Sequence, residues 1–322
     1  MAIISILPNG STSGNPNPNG NSQPSKRDKS QGWNYQVSRR FKRWLFSIPV
    51  DSLDGYGLAF TLTVRDCPKT PEYWAGLRDT FMKRVFRMDC IRFQWLTEWQ
   101  ERGVPHLHGI AYFKGFNPPS SLIFHWLEAA SKYGAKPQAQ NVKPVFSVKG
   151  WLDYLAKHST RSVTHYQRSS DNIPSSWLTT GRMWGYRGDW DSREAMSFEI
   201  EQSGFYAYRR ILRNYRISSV RERLNEAFQR SQALSHTLND IVQSRPEGEL
   251  LSASEINDFS KLKALDSLIK NTSRELSYAR RTLKSNDVDL SHFRGTSSWV
   301  DQDLSIQMIS WLVSSGYRIH QK

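Results

Sequence analysis

The chain has 322 residues, enough for one large core or two modest domains. Its 44 Lys and Arg residues outnumber 30 Asp and Glu residues, and the net charge of +14 favours a polyanionic partner, nucleic acid before an anionic membrane surface. Two cysteines argue against a disulfide scaffold or a four-cysteine zinc site and point to the reducing cytoplasm. The sequence contains no run of roughly 18 apolar residues that would cross a membrane. The opening MAIISILP lacks the preceding basic residues of a signal peptide.

Three regions follow one another along the chain. Residues 1–32 are predicted to be a disordered leader, because residues 9–32 are low-complexity and nearly free of apolar side chains. Residues 33–200 alternate strand and helix patterns and form one predicted domain. Residues 201–322 are predicted to be a helical C-terminal region.

The elements of the middle region begin with a strand over residues 57–64. A helix is predicted over 70–88, since Thr70 suits the N-cap and Pro71 the first helical position. The remaining predicted elements are strands over 91–99, 106–113 and 141–148 and helices over 118–134 and 149–159. This order predicts an α+β fold, with an antiparallel central sheet flanked by helices.

Two long helical patterns dominate the C-terminal region, over residues 205–243 and 254–284. Their apolar spacing predicts a helical hairpin or a short coiled coil. A third apolar-faced helix is predicted at SIQMISWLV, residues 305–313.

The stretch GVPHLHG, residues 103–109, places two histidines two positions apart on a predicted strand. Residues two apart project from the same face of a strand, so His106 and His108 are able to face one ion. If the preceding turn centres on Arg102, Glu98 lies opposite His106 on that face. Two histidines in this pattern also occur by chance on exposed strands, and Glu101 becomes the partner if the turn shifts by one residue.

Two imidazoles and one carboxylate leave coordination positions open, as a catalytic ion requires. The predicted ligand set is therefore Glu98, His106 and His108. The mixed nitrogen and oxygen donors suit Mn²⁺, Mg²⁺ or Zn²⁺.

The predicted helix GWLDYLAKHS, residues 150–159, carries a candidate nucleophile. Tyr154 and Lys157 share one helical stripe, where the lysine lies one turn after the tyrosine. A phenol titrates near pH 10 and becomes a useful nucleophile beside a cation and a metal-polarised electrophile. The alternative is a half-buried aromatic residue and an ordinary ion pair between Asp153 and Lys157.

Three short motifs occur in a specific order: FTLT at 60–63, HLHG at 106–109 and YLAK at 154–157. This order resembles the motifs of single-tyrosine rolling-circle replication initiators of the HUH endonuclease superfamily, over roughly residues 55–160. GRMWG, residues 181–185, also looks like a segment that follows the nuclease domain in initiators of small single-stranded DNA phages.

The resemblance implies that His106, His108 and Glu98 hold a divalent metal, Mn²⁺ or Mg²⁺, and that Tyr154 nicks single-stranded origin DNA. Lys157 would assist at the phosphate. The tyrosine would stay linked to the 5′ end, leaving a 3′-hydroxyl that primes a host polymerase, and strands would later be rejoined. Mobile-element transposases and relaxases share this chemistry, while a repressor or packaging factor would use the basic surface alone.

Basic residues interleaved with rings indicate a surface for single-stranded DNA, although a solvated helix face is the alternative. The candidate DNA-binding residues lie in RRFKRW, in the segment after GRMWG and in YRRILRNYR: Arg39, Arg40, Arg43, Arg182, Trp184, Arg187, Arg209 and Arg210. The C-terminal helices fit oligomerisation, duplex binding or recruitment of a host helicase, and the sequence contains no Walker A motif. A phage or plasmid origin would place the protein in the host cytoplasm.

Overall fold

The computed structural model describes residues 1–14, 32–145, 165–177, 179–244, 250–284 and 295–322. The chain divides into two compact units. The terminal unit combines residues 1–6 and 10–14 with the chain from Met196 onward, and the central unit contains residues 7–9 and the chain up to Ala195. No helix within the described ranges is long and apolar enough to cross a membrane.

The described residues form ten strands and six α-helices. The strands are β1 (Ala2–Leu7), β2 (Gly10–Gly14), β3 (Tyr56–Thr63), β4 (Cys90–Trp99), β5 (Pro105–Phe113), β6 (Asn141–Val145), β7 (Trp184–Gly188), β8 (Met196–Ile200), β9 (Thr296–Trp299) and β10 (Ile319–Gln321). The helices are α1 (Tyr35–Ser47), α2 (Pro71–Phe86), α3 (Pro119–Ala129), α4 (Gln202–Ser244), α5 (Ala253–Lys284) and α6 (Gln302–Ser314).

The central unit is built on an antiparallel sheet in the order β6-β3-β5-β4-β7, and the predicted α+β class is confirmed. α2 begins at Pro71 as predicted, although the side chain of Thr70 makes no capping hydrogen bond. α3 ends at Ala129, earlier than predicted. One 3₁₀ turn follows it, and Gly134 closes that turn with φ of +64°, a conformation that favours glycine.

The two faces of this sheet are covered by different helices. One face packs against α2 and α3 through edge-to-face aromatic contacts, such as Phe60 with Phe81 and Phe81 with Trp126. On the other face, Phe41 and Trp44 of α1 contact the ring of Trp184 on β7. Glu98, His106 and His108 lie on this second face, which we call the histidine face.

The terminal unit contains a second antiparallel sheet, in the order β10-β8-β1-β2-β9. Ile4 and Ile6 of β1 pack against Phe205 and Tyr208 of α4 in one buried core. The predicted disordered leader was therefore wrong for residues 2–7 and 10–14, while residues 15–31 lie outside the described residues. The apolar stretch of β1 is too short to fold alone, but β8, about 190 residues later in the sequence, pairs with it.

The long helices of the terminal unit form the expected hairpin. Ile217 and Val220 of α4 pack against Leu276 and Ala279 of α5. Further along α4, Ser231 donates to Asp266, an earlier residue of α5, so the two helices run antiparallel. The predicted last helix corresponds to α6, whose Met308, Ile309 and Leu312 join the core around β1. The predicted helical region, residues 201–322, is not wholly helical, because it contains β9 and β10. β8, which the sequence placed in the preceding domain, belongs to the same unit as these strands.

Candidate metal and nucleic-acid site

The register of β4 and β5 places Glu98 opposite His106, as the sequence predicted. His108 lies two residues further along the same face, opposite Leu96. On the other side of β5, Thr63 pairs with His106 and Thr61 with His108. Each histidine is therefore flanked by a threonine of the FTLT motif.

Hydrogen bonds orient both imidazole rings. Thr61 Oγ1 and His108 Nδ1 are 2.9 Å apart, and Gln100 Nε2 lies 3.4 Å from His106 Nδ1. Gln100 Nε2 also donates to Thr63 Oγ1 at 3.0 Å. The two ring centroids are 5.4 Å apart. The threonines and Gln100 thus hold the two histidines side by side.

The environment of His106 keeps its imidazole neutral. Burial lowers the pKa of His106 from 6.5 to about 4, and the positive charge of Arg102 acts in the same direction. A neutral imidazole has a lone pair available for a metal ion, whereas a protonated ring does not. At neutral pH this side chain is ready to act as a ligand.

Glu98 is completely buried, and each of its carboxylate oxygens lies beside a described side chain. Its Oε1 accepts a hydrogen bond from Arg168 Nε at 3.0 Å, and both side chains are 0 % exposed. Its Oε2 lies 3.6 Å from His108 Nε2. The Arg168 guanidinium stacks 4.0 Å from the centre of the Trp33 ring, which fixes the arginine on the histidine face.

The nitrogen and oxygen donor atoms of these side chains suit a divalent ion. Two donor atoms that share an ion at about 2.1 Å each lie roughly 3–3.5 Å apart, close to the separation of Glu98 Oε2 and His108 Nε2. A partner on the second carboxylate oxygen is the usual way in which proteins orient a ligating carboxylate, and Arg168 occupies that place. Within the described ranges, however, no three His, Cys, Asp or Glu side chains are already gathered at metal-binding distance. His106 must therefore approach the other two for a three-ligand site to form.

The candidate nucleophile falls in a part of the chain that the structure does not describe. Tyr154 and Lys157, together with the helix predicted over residues 149–159, lie outside the described residues. The rival carboxylate Glu101 is exposed in the turn between β4 and β5.

The predicted DNA-binding residues fall into different environments. Arg39, Arg40 and Arg43 are exposed on α1, which packs on the histidine face. The remaining exposed residues of the set are Arg182, Arg187 and Arg210.

Two members of the predicted set pack against other side chains. Trp184 lies against Phe41 and Trp44. Arg209 is 3 % exposed, with its guanidinium over the rings of Phe205 and Tyr206. Its burial in the terminal unit leaves little surface for a DNA contact.

The sequence interpretation missed several residues around the histidines. The parity of FTLT could have shown that Thr61 and Thr63 share the histidine face, because they alternate with the apolar Phe60 and Leu62. Arg168 gave no comparable signal, since it lies 70 residues after Glu98 in a polar stretch with no clear periodicity.

Comparison with known proteins identifies clear relatives. The chain is 38% identical over 256 residues to a candidate replication protein of Xylella fastidiosa strain Temecula1, an alignment that covers 77% of this chain and 97% of the relative. A protein of the same description from Xylella fastidiosa strain 9a5c is 38% identical over 256 residues, or 77% of this chain and 90% of the relative. The replication-associated protein of Pseudomonas phage Pf3 is 40% identical over 233 residues, or 69% of this chain and 84% of the relative. No protein-family model and no solved structure matches the chain.

Proposed function

The chain belongs to the family of replication proteins that includes the replication-associated protein of phage Pf3 and the Xylella proteins, and we propose that it initiates rolling-circle replication by nicking single-stranded origin DNA. The observation that carries the proposal is the row of Glu98, His106 and His108 on one face of adjacent strands, backed by the threonines of FTLT. The family membership supports a role in replication, and the row supports metal-assisted cleavage.

The proposed metal site uses His106 and His108 as nitrogen ligands and Glu98 Oε2 as the oxygen ligand. When bound, Mn²⁺ or Mg²⁺ would offset the charge that develops on the non-bridging oxygens of the scissile phosphate. Thr61 and Gln100 would keep the imidazole rings facing this phosphate, and Arg168 would hold Glu98 in place through its other oxygen.

Tyr154 is the proposed nucleophile. Its phenol oxygen forms a bond to phosphorus and loses its proton, while the bond from phosphorus to the 3′ oxygen breaks and that oxygen takes up a proton. The products are a 5′-phosphotyrosine and a free 3′-hydroxyl, and the reverse reaction rejoins strands without ATP. Lys157 would neutralise charge at the phosphate.

The remaining proposals concern partners. The 3′-hydroxyl would prime a host polymerase, and the α4–α5 hairpin would be the part of the chain that binds duplex DNA, a host helicase or a second copy. Exposed Arg39, Arg40 and Arg43 would contact phosphates of the single strand.

A covalent adduct tests the nicking reaction. The full-length protein is incubated with labelled single-stranded origin DNA and Mn²⁺ or Mg²⁺ and then run on a denaturing gel. We expect a shifted band that disappears with EDTA and in Tyr154→Phe. An adduct that survives Tyr154→Phe would refute the nucleophile, and the lack of any adduct would favour a protein that binds DNA without cutting it.

The third ligand is tested by metal titration of the same protein. Mn²⁺ binding measured by calorimetry should weaken at least tenfold in Glu98→Gln, because an amide oxygen is a poorer ligand than a carboxylate. Glu101→Gln is the matched control and should bind as wild type does. If Glu101→Gln weakened Mn²⁺ binding more than Glu98→Gln did, the third ligand would be Glu101 in the turn.

A further inference from the structure

The edge of the histidine face next to β7 contains a stacked pair of rings. The ring of Trp44, on α1, lies 4.6 Å from the ring of Tyr186, on β7, with an angle of 12° between the two planes. Trp44 is 8 % exposed, whereas Tyr186 is 48 % exposed. The outer member of the stack is therefore open to solvent.

Buried polar groups lie in the same corner. The side chain of Gln94 is fully buried, and neither its amide nitrogen nor its amide oxygen has a hydrogen-bond partner within the described part of the chain. Nε1 of Trp44 is also buried and has no hydrogen-bond partner within the described part of the chain. Such groups are destabilising, so a buried amide that lacks both partners calls for a ligand or water that would pair with it.

The strand register relates this corner to the histidines. Gln94 lies opposite Tyr186 on one side and Ile110 on the other, while Leu96 lies opposite His108. Gln94 and His108 are thus diagonal neighbours on one face, roughly 7–8 Å apart. β7 is an edge strand, so the half-exposed ring of Tyr186 is able to rotate outward without breaking the core.

We propose that Trp44, Gln94 and Tyr186 form a subsite that binds one nucleobase of the single-stranded substrate, next to the scissile phosphate. Tyr186 rotates outward, the base stacks in the space beside Trp44, and the Gln94 amide donates to and accepts from the edge of the base. This inference rests on the proposed function, since it names the part of the DNA that the site would hold.

A nucleobase matches this corner in shape and in hydrogen bonding. Its flat ring suits the stack, and its edge carries both donors and acceptors, as the amide of Gln94 does. Arg40 and Arg43 are exposed on the helix that supplies Trp44, where they are available to the flanking phosphates.

The subsite is tested by binding in EDTA, where no cleavage occurs. The probes are fluorescein-labelled 20-mers of dT, dA and dC and a 20-mer whose nucleotides are all abasic, measured by anisotropy with the full-length protein. The variants are Gln94→Leu, which keeps the volume but removes the amide, and Tyr186→Ala. Tyr73→Ala is the matched control, because Tyr73 is an exposed tyrosine on α2, which packs on the opposite face.

We expect Gln94→Leu to raise the Tm by about 2–4 °C, because it removes an unpaired buried amide. The same variant should weaken binding of at least one base-bearing probe about tenfold and leave the abasic probe unchanged. Tyr186→Ala should also weaken the base-bearing probes by about tenfold, and Tyr73→Ala should have no effect.

A higher Tm with unchanged affinity for every probe would overturn the subsite and make the corner a packing defect. Equal weakening of base-bearing and abasic probes would also overturn it. If Gln94→Leu fails to fold, wild-type affinity in Tyr186→Ala overturns the proposal by itself. Two further results separate the subsite from the proposed function. If the wild-type protein forms the covalent adduct but both variants bind every probe normally, only the subsite is refuted. If the wild-type protein binds no probe, the proposed function is refuted as well.

Discussion

Glu98 and Arg168 form an ion pair in which neither side chain is exposed to solvent, 3.0 Å from Oε1 to Nε. The pair connects strand β4 to the segment after residue 164, so it anchors that segment on the histidine face. A buried charge is tolerated only with a partner, and the loss of one partner leaves the other uncompensated.

Removing Arg168 should therefore destabilise the protein strongly. We expect Arg168→Met to lower the free energy of unfolding by about 3–5 kcal/mol, measured by urea denaturation. The double variant Arg168→Met with Glu98→Leu should recover most of this loss, since it removes both charges. Equal stability of the single and double variants would show that the pair is not the cause.

Stability should depend on pH through His106. Its pKa is about 4 in the folded protein and 6.5 in the unfolded chain, so between these values the unfolded state binds more protons. The free energy of unfolding should therefore fall as the pH decreases from 6.5 towards 4, by about 2 kcal/mol from this group. The measurement is urea denaturation in EDTA at several pH values. His106→Gln should show a smaller decrease than wild type, and an identical decrease would contradict the assignment.

Gly109 follows His108 at a point where the sheet has no room for a side chain. A Cβ atom there would lie 2.2 Å from the Gln94 carbonyl oxygen and 2.5 Å from the Phe60 ring. Gly109→Ala should lower the free energy of unfolding by about 3 kcal/mol. It should also weaken Mn²⁺ binding, because the added methyl group displaces the neighbouring His108. Gly115→Ala is the control, because its added Cβ meets no atom within 4 Å. Similar urea midpoints for the two variants would contradict this account.

The basic face of α1 should determine how DNA binding responds to salt. We expect the double variant Arg40→Ala, Arg43→Ala to reduce the slope of log Kd against log salt concentration by about 0.7 for each lost phosphate contact. Anisotropy with the dT 20-mer between 50 and 300 mM salt, roughly the range over which this effect is large, gives the slope. Lys83→Ala with Arg87→Ala removes two exposed charges from α2 and the residue after it and should leave the slope unchanged. If the control also reduced the slope, the net charge of the protein, and not the position of Arg40 and Arg43, would determine the salt dependence.

Much of the central unit could be predicted from the sequence because its signals are local. Alternating apolar residues mark β3, β4 and β5, and a proline marks the first turn of α2. The pairing of Glu98 with His106 also followed from local information, since a short turn between antiparallel strands sets their register.

The terminal unit shows where this reasoning fails. β1 and β2 looked like part of a leader because their strand partners, β8 and β9, come much later in the chain, at residues 196–200 and 296–299. No local pattern near residues 2–14 announces those partners. The same limit applies to Arg168 and to the ring stack of Trp44 and Tyr186, whose members are 142 positions apart in the sequence.

By itself, the sequence determined the α+β class and the likeness to replication initiators, which rest on the order of elements and motifs along the chain. It also determined the strand register around His106 and His108, which rests on a short turn. Only the tertiary structure decided that Glu98 is buried against Arg168, that the FTLT threonines hold the histidines, and that the first strands belong to the terminal unit. The physical reason is that burial and ion pairing depend on which distant segments share a core, and periodicity along the chain does not encode that choice.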